Sequence, residues 1–164
     1  MLVGVLSDTH YPKAYFPDVV LEVFEKQDVE LIIHAGDITE PILLEKLNEV
    51  APVLAVRGNA DPPGLREVEV VDIGGMKTLV IHGHQFLSLT AQNLVYKAFE
   101  EEATLVIFGH THRPYFEAVE AMRRKVYLLN PGSPTLPRLS PPSFALMEVE
   151  KERVKVRFYN PWDV

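Results

Sequence analysis

Six histidines are present in this chain, and each lies inside one of five short clusters rich in Asp, Gly, His and Asn. Every cluster follows a short run of apolar, often β-branched residues. Carboxylate, imidazole and amide side chains grouped in this way are common protein ligands of divalent metal ions. The clusters are residues 7–10, 34–37, 58–61, 82–84 and 109–112.

Taken singly, most of these clusters have an ordinary structural explanation. Asp8 and His10 fit a simple turn, Asp37 fits a helix cap, and the Gly-Asn-x-Asp sequence around Asn59 is common in turns. The two His-x-His pairs are better indicators of metal, because packing rarely explains histidine pairs at strand ends. His34 is predicted to hydrogen-bond behind the site rather than to bind metal.

Taken together, the clusters predict a binuclear metal centre. Seven side chains are too many ligands for one cation but suit two, and Asp37, whose carboxylate has two oxygens, is the predicted bridge. Two divalent cations bring +4 and two carboxylates remove 2, so the site would keep about +2 for a hydroxide and a phosphate ester. The predicted ligands are Asp8, His10, Asp37, Asn59, His82, His110 and His112.

The apolar runs before the clusters are predicted to be strands. Residues 2–6, 31–33 and 53–56 alternate with two amphipathic segments, which predicts a parallel sheet with crossover helices. Pro17 suits the first turn of the first helix, and Thr39 is predicted to cap the second.

The second half of the chain predicts more antiparallel pairing. Thr90 is predicted to cap a helix that runs to about Glu102. The expected strands are three hairpins, 68–73 with 77–81, 115–120 with 125–129 and 144–149 with 154–159, and a single strand 105–108. We therefore expect an α/β fold of two mixed sheets packed face to face with helices outside, with one half of the chain mainly parallel and one mainly antiparallel.

The composition of the chain excludes or disfavours several kinds of chemistry and partner. We expect residues 1–164 to form one domain without thiolate chemistry, since the chain has no cysteine. A formal charge of -7 with scattered Lys and Arg argues against long nucleic acid as a partner. No run suits a signal peptide or a membrane span, so a cytoplasmic location without membrane contact is expected.

The five motifs together resemble those of calcineurin-like metallophosphoesterases, whose ordered motifs are DxH, GD, GN, H and GHxH. Residues 130–138 also resemble a turn of the small single-domain prokaryotic phosphodiesterases in that family. The resemblance implies a four-layer αββα sandwich and a metal-bridging hydroxide as nucleophile. It implies one metal on Asp8, His10, Asp37 and His112, and the other on Asp37, Asn59, His82 and His110.

The chain departs from the family pattern after the GN motif, where many members have a histidine and this chain has Ala60. His84 is therefore the first choice for a proton donor to the leaving group, and metal-bound water the second. Asp61 is the other predicted catalytic residue. The second acid often found soon after the GD motif is also missing, and Glu40 is the nearest candidate.

The predicted function is metal-dependent hydrolysis of a small phosphoester, with a diester favoured over a monoester. The alternative is a non-catalytic scaffold, since the same fold serves as a retromer coat subunit whose ligand set is degraded. A nuclease is disfavoured by the acidic composition. Manganese is the first expectation for both ions, nickel, iron, cobalt and zinc would also suit the ligands, and self-association into a homo-oligomer is left open.

Overall fold

A computed structural model describes all residues from 1 to 164. It contains ten strands and three helices. The strands are β1 (Leu2–Leu6), β2 (Leu31–His34), β3 (Val53–Ala55), β4 (Val68–Ile73), β5 (Met76–Ile81), β6 (Leu105–Ile107), β7 (Pro114–Ala121), β8 (Arg124–Pro131), β9 (Phe144–Glu150) and β10 (Arg153–Tyr159). The helices are α1 (Val19–Lys26), α2 (Ile42–Asn48) and α3 (Ala91–Glu100).

The strands form two five-stranded sheets, with the orders β10-β9-β1-β2-β3 and β4-β5-β6-β8-β7. In the first sheet β1, β2 and β3 are parallel, as predicted. The C-terminal hairpin joins this same sheet, because β9 pairs antiparallel with β1. In the second sheet β6 is parallel to both β5 and β8, while β4 and β7 pair antiparallel. Both sheets are therefore mixed, as predicted, although parallel and antiparallel pairings are balanced within each sheet and not divided between the two halves of the chain.

Three separate apolar cores define four layers. The central core lies between the two sheets and includes Val5 and Ile107. A second core packs α1 and α2 on the outside of the first sheet, where Gly4 leaves room for the ring of Phe24. A third packs α3, through residues such as Leu94, on the outside of the second sheet. This arrangement confirms the four-layer αββα sandwich. None of the three helices is long and apolar enough to cross a membrane.

The helix starts test the capping predictions. Thr90 caps α3 as predicted, since its side-chain oxygen accepts the Asn93 N–H. Thr39 does not cap α2, which begins after Pro41 without a side-chain cap. The hydroxyl of Thr39 instead donates to the carbonyl of Tyr11, joining the loops that follow β2 and β1. Pro17 lies just before α1 rather than in its first turn.

Candidate metal centre

The five clusters meet at one edge of the sandwich. β1, β2 and β3 are parallel in one sheet, and β5 and β6 are parallel in the other, so their carboxyl ends can converge. A hydrogen bond of 3.0 Å from the His110 N–H to Asp8 Oδ2 joins the two sheets at this edge. In open α/β sheets this is also the edge at which ligands bind.

Two of the histidines have their ring orientation fixed by backbone carbonyls. Nδ1 of His82 lies 2.7 Å from the Ala35 oxygen, and Nδ1 of His112 lies 2.5 Å from the Leu136 oxygen. Because a carbonyl oxygen only accepts, Nδ1 carries the proton in each neutral ring, and Nε2 has a free lone pair. A carbonyl partner on one nitrogen and a free second nitrogen are typical of metal-binding histidines.

The carboxylate of Asp8 directs one oxygen into the site. Its Oδ2 accepts the Ser7 hydroxyl at 2.8 Å and the His110 N–H at 3.0 Å. Its Oδ1 is buried and has no hydrogen-bond partner. That oxygen lies 3.3 Å from Nε2 of His112 and 3.7 Å from Nε2 of His82.

Asp37 divides its two oxygens in the same way. Oδ1 accepts the Ala60 N–H at 2.8 Å, while Oδ2 lies 3.2 Å from His82 Nε2 and 3.5 Å from His10 Nε2. One oxygen thus faces a histidine from each implied ligand group. Asp8 Oδ1 also approaches both groups, so Asp37 is the nearer of two carboxylates between them. Burial raises the pKa of Asp37, but His82, the Ala60 N–H and His10 together outweigh it and hold the pKa well below its usual value.

Four of the predicted ligands form one compact cluster. The donor atoms of Asp8, His10, Asp37 and His112 all lie within 4.8 Å of one another. Nε2 of His10 and Oδ1 of Asp8 are both buried without a hydrogen-bond partner. An unsatisfied buried polar atom costs about 1–3 kcal/mol, and a divalent cation would satisfy both. The residues therefore fit a metal ion, and they are the set that the family resemblance implies for the first metal.

The other three predicted ligands lie beside this cluster. Asn59 Oδ1 is 3.1 Å from His82 Nε2, and the ring centroids of His82 and His110 are 5.2 Å apart. Asn59 is exposed and His110 half-buried, so this second group is closer to solvent than the first. The Nε2 lone pair of His82 therefore faces two oxygens, one from Asn59 and one from Asp37. A cation between them would replace the repulsion among these lone pairs by coordination.

The electrostatics of the site favour a positive charge between its carboxylates. Burial alone lowers the pKa of His82 and of His112, but hydrogen bonds to the adjacent carboxylates outweigh it and raise both pKa values. For His10 and His110, burial outweighs the attraction of Asp8 and Asp37, so the pKa values of both rings fall below the usual value. The carboxylates thus stabilise positive charge at His82 and His112.

Five of the seven predicted ligands have a left-handed backbone conformation, with φ between 49° and 73°. This conformation is uncommon for residues other than glycine, although Asp and His adopt it more readily than most. Such residues persist where the surrounding structure fixes them, and they concentrate at functional sites. The five residues are Asp8, His10, Asp37, His110 and His112.

Asp61 is buried, and its carboxylate is occupied by backbone N–H groups. Oδ2 accepts from Asp37 and Gly58 at 2.8 Å each, and Oδ1 accepts from Thr39 at 2.7 Å. These bonds tie the Asp37 loop to the loop that carries Asn59. A Cβ atom on Gly58 would overlap the Asp37 carboxylate, so only glycine fits this close approach. This geometry favours a positioning role for Asp61 over the catalytic role expected from the sequence.

His84 lies at the border of the second group, with its ring centroid 5.4 Å from that of His82 and 6.5 Å from that of His110. Its Nε2 lies 3.5 Å from Glu67 Oε2, and its Nδ1 is buried without a partner. Burial, followed by the charge of His82, lowers the pKa of His84, and Glu67 opposes this shift. Glu40 is exposed and forms no side-chain contact with the cluster.

Several supporting residues were not singled out by the sequence. Ser133 donates its hydroxyl to the Asp8 carbonyl at 2.8 Å, and Asn130 donates to the Gly109 carbonyl at 3.0 Å. Asn130 lies near the end of β8 and Ser133 in the turn that follows, a segment that the sequence marked only through its family resemblance. No periodicity indicates that this turn returns to β1, because the contact spans 125 residues.

His34 lies behind the site, as expected for a histidine that does not bind metal. Its ring is fully buried, with Nδ1 accepting the Gly36 N–H at 3.2 Å and Nε2 2.9 Å from the Thr9 hydroxyl oxygen. Nδ1 is therefore unprotonated and Nε2 carries the hydrogen. Burial lowers the pKa of His34 to about 4.

This chain is similar to several known proteins. A probable metallophosphoesterase of Methanothermobacter thermautotrophicus is 40% identical over 94% of this chain and 89% of its own. A phosphodiesterase of Methanocaldococcus jannaschii is 26% identical over 94% of this chain and 97% of its own. The structure of Entamoeba histolytica Vps29 complexed with Zn²⁺ has a TM-score of 0.78 and 28% identity, covering 98% of this chain and 99% of that one. The calcineurin-like phosphoesterase superfamily domain model matches residues 1–152, and the chain belongs to that superfamily.

Proposed function

We propose that this protein is a phosphodiesterase with two divalent metal ions, the first held by Asp8, His10, Asp37 and His112. Asp37, Asn59, His82 and His110 hold the second. The observation that carries the proposal is the cluster of four donors within 4.8 Å, two of which have buried atoms with no other partner. The phosphodiesterase relative from Methanocaldococcus jannaschii supports a diester as substrate.

Bound at this site, divalent ions would supply Lewis-acid polarisation of the phosphoryl group and would lower the pKa of a water molecule that attacks it. The protein contributes the geometry. Asp37 Oδ2 keeps the two ligand groups adjacent, and the carbonyls of Ala35 and Leu136 hold His82 and His112 in the binding tautomer. The backbone N–H of Ala60 keeps the second Asp37 oxygen away from the site.

His84 is the proposed proton donor to the leaving alkoxide. It lies next to the second ligand group, and its buried Nδ1 has no partner in the protein. The carboxylate of Glu67 lies 3.5 Å from Nε2 and so can stabilise a charged ring during proton transfer. Ala60 stands where many family members have a histidine, so the proton donor has to come from elsewhere in the site.

The proposal is tested by turnover of bis(p-nitrophenyl) phosphate and p-nitrophenyl phosphate after reconstitution with manganese, nickel, iron, cobalt or zinc. We expect diester hydrolysis that needs added metal and is fastest with manganese. Asp37→Asn should lower the occupancy of both ions and abolish turnover, because its carboxylate serves both groups. Asp18→Asn is the matched control, since Asp18 is exposed and its side chain caps nothing. Normal turnover and two bound ions in Asp37→Asn would contradict the proposal.

A non-catalytic scaffold is the second candidate, favoured by the similarity to Vps29 structures. The complete set of seven ligand side chains argues against it. The two functions separate cleanly in the same assay. A scaffold would show no metal-dependent turnover of either ester, whatever its metal content.

A further inference from the structure

A cavity of about 310 Å³ lies beside the candidate metal centre, between the start of α3 and the loop that joins β6 to β7. Leu89, Phe108 and Tyr115 provide apolar and aromatic walls. Thr111, the residue between the two histidines of the last cluster, also lines it. The cavity is at the lower end of the range that small-ligand sites occupy.

The cavity adjoins the loops that carry the predicted metal ligands. A Cβ atom placed on Gly83 would lie 3.0 Å from Leu89 and 3.7 Å from the Cβ of His110. Leu89 therefore packs against the loop that carries His82 and His84. The cavity lining thus includes Thr111, between His110 and His112, and Leu89, which packs against the loop of His82.

Arg113 adds a positive charge at the same place. It follows His112 directly, lines the cavity and is exposed. Its guanidinium forms no salt bridge and no hydrogen bond with the protein, unlike Arg57 and Arg66, which pair with glutamates. In a chain with a net charge of -7, an unpaired arginine beside the metal centre is complementary to an anionic substrate.

We infer that this cavity binds a planar aromatic ester group of the substrate, while Arg113 pairs with a phosphoryl oxygen. The inference rests on the proposed function and extends it, because it selects aryl and nucleoside-like phosphodiesters over small alkyl ones. Phe108 and Tyr115 form an edge-to-face pair with centroids 6.2 Å apart, so an incoming ring meets an aromatic wall. Ala91, the first residue of α3, lines the cavity and is half-buried, so its side chain can be enlarged to fill the space.

The test compares binding of phenylphosphonate and methylphosphonate to the manganese-loaded protein by isothermal titration calorimetry. The two probes share the phosphonate group and differ only in its substituent, a phenyl ring in one and a methyl group in the other. We expect the wild-type protein to bind phenylphosphonate about tenfold to thirtyfold more tightly, as burial of most of one ring predicts. Ala91→Phe should abolish that preference and leave methylphosphonate affinity unchanged. Gln92→Phe is the control, because Gln92 is exposed on the same helix and does not line the cavity.

Two further variants keep the test decisive. Leu89→Trp enlarges another residue that lines the cavity and replaces Ala91→Phe if that variant does not fold. Arg113→Gln should weaken both phosphonates by the same factor, since it removes a contact to the phosphoryl group and none to the ring.

The outcomes separate the inference from the proposed function. Equal affinity for the two probes, with metal-dependent turnover of bis(p-nitrophenyl) phosphate intact, would overturn the aromatic subsite alone. Loss of the ring preference in Gln92→Phe as well would also overturn it. Absence of binding and of turnover with every metal would refute the proposed function and this inference with it.

Discussion

Replacing Asp61 by Asn tests how the protein positions its ligands. The carboxylate accepts three backbone N–H groups at 2.7–2.8 Å, from Asp37, Gly58 and Thr39. An amide offers one oxygen and one NH₂ group, so at least one of these buried N–H groups loses its acceptor. A hydrogen bond to a charged acceptor contributes about 1.5–3 kcal/mol, and the remaining bonds weaken when the charge is lost. We therefore expect Asp61→Asn to reduce the free energy of unfolding by about 3–5 kcal/mol.

Metal affinity should fall in the same variant, because Asp61 holds the Asp37 loop against the loop of Asn59. Loss of such a supporting contact typically weakens metal binding by about 10- to 100-fold. Urea unfolding of the metal-free protein and calorimetric titration with Mn²⁺ measure the two effects, with Asp18→Asn as control. A variant with wild-type stability and metal affinity but no turnover would refute the positioning role and restore the direct catalytic role.

Three further predictions concern single side chains. Asn59→Ala should leave one metal ion per chain, since Asn59 serves only the second group, and elemental analysis decides it. His84→Ala should keep both ions but slow esters with poor leaving groups by roughly 10²- to 10⁴-fold, with much less effect on nitrophenyl esters in steady-state assays. His34 has a folded pKa of about 4, below the unfolded value, so the unfolded state binds the extra proton. Stability should thus fall as the pH drops from about 6.5 to 4, by about 2 kcal/mol at pH 5 in urea unfolding of the metal-free protein, and His34→Gln should lack this contribution.

Each of these predictions has a contradicting result. A metal-free Asn59→Ala protein would show that the two groups are not separable. Equal rate losses for alkyl and nitrophenyl esters in His84→Ala would remove the proton-donor role and leave metal-bound water as the source. The same pH dependence of stability in wild type and His34→Gln would show that the buried ring is not the titrating group.

The sequence predicted the local elements better than their partners. The hydrophobic runs located the strands. The prediction that Thr90 caps a helix is confirmed, because its side-chain oxygen accepts the N–H of Asn93, only three residues along the chain. Thr39, like Thr90, is a threonine that precedes an amphipathic segment. Its hydroxyl nevertheless donates to the carbonyl of Tyr11, 28 residues away in the sequence. Likewise, nothing local in β9 indicates that it pairs with β1 and makes the first sheet mixed. Such contacts depend on tertiary packing, which periodicity does not encode.

For the site, the sequence predicted which side chains come together but not the contacts that hold them in place. The structure brings together the seven predicted ligands, at the strand ends where the pattern put them. The sequence could not show which oxygen of Asp37 faces both ligand groups. That orientation depends on the Ala60 N–H, which binds the other oxygen. The sequence also could not predict that the carbonyl of Leu136 orients His112, because every residue carries the same backbone carbonyl.

Titration of the metal-free protein with Mn²⁺, with bis(p-nitrophenyl) phosphate turnover recorded at each ratio of metal to chain, tests the binuclear centre most directly. We predict that the rate rises until two ions are bound per chain and then stays constant. A rate that reaches its maximum at one ion per chain, or two bound ions with no turnover, would contradict it.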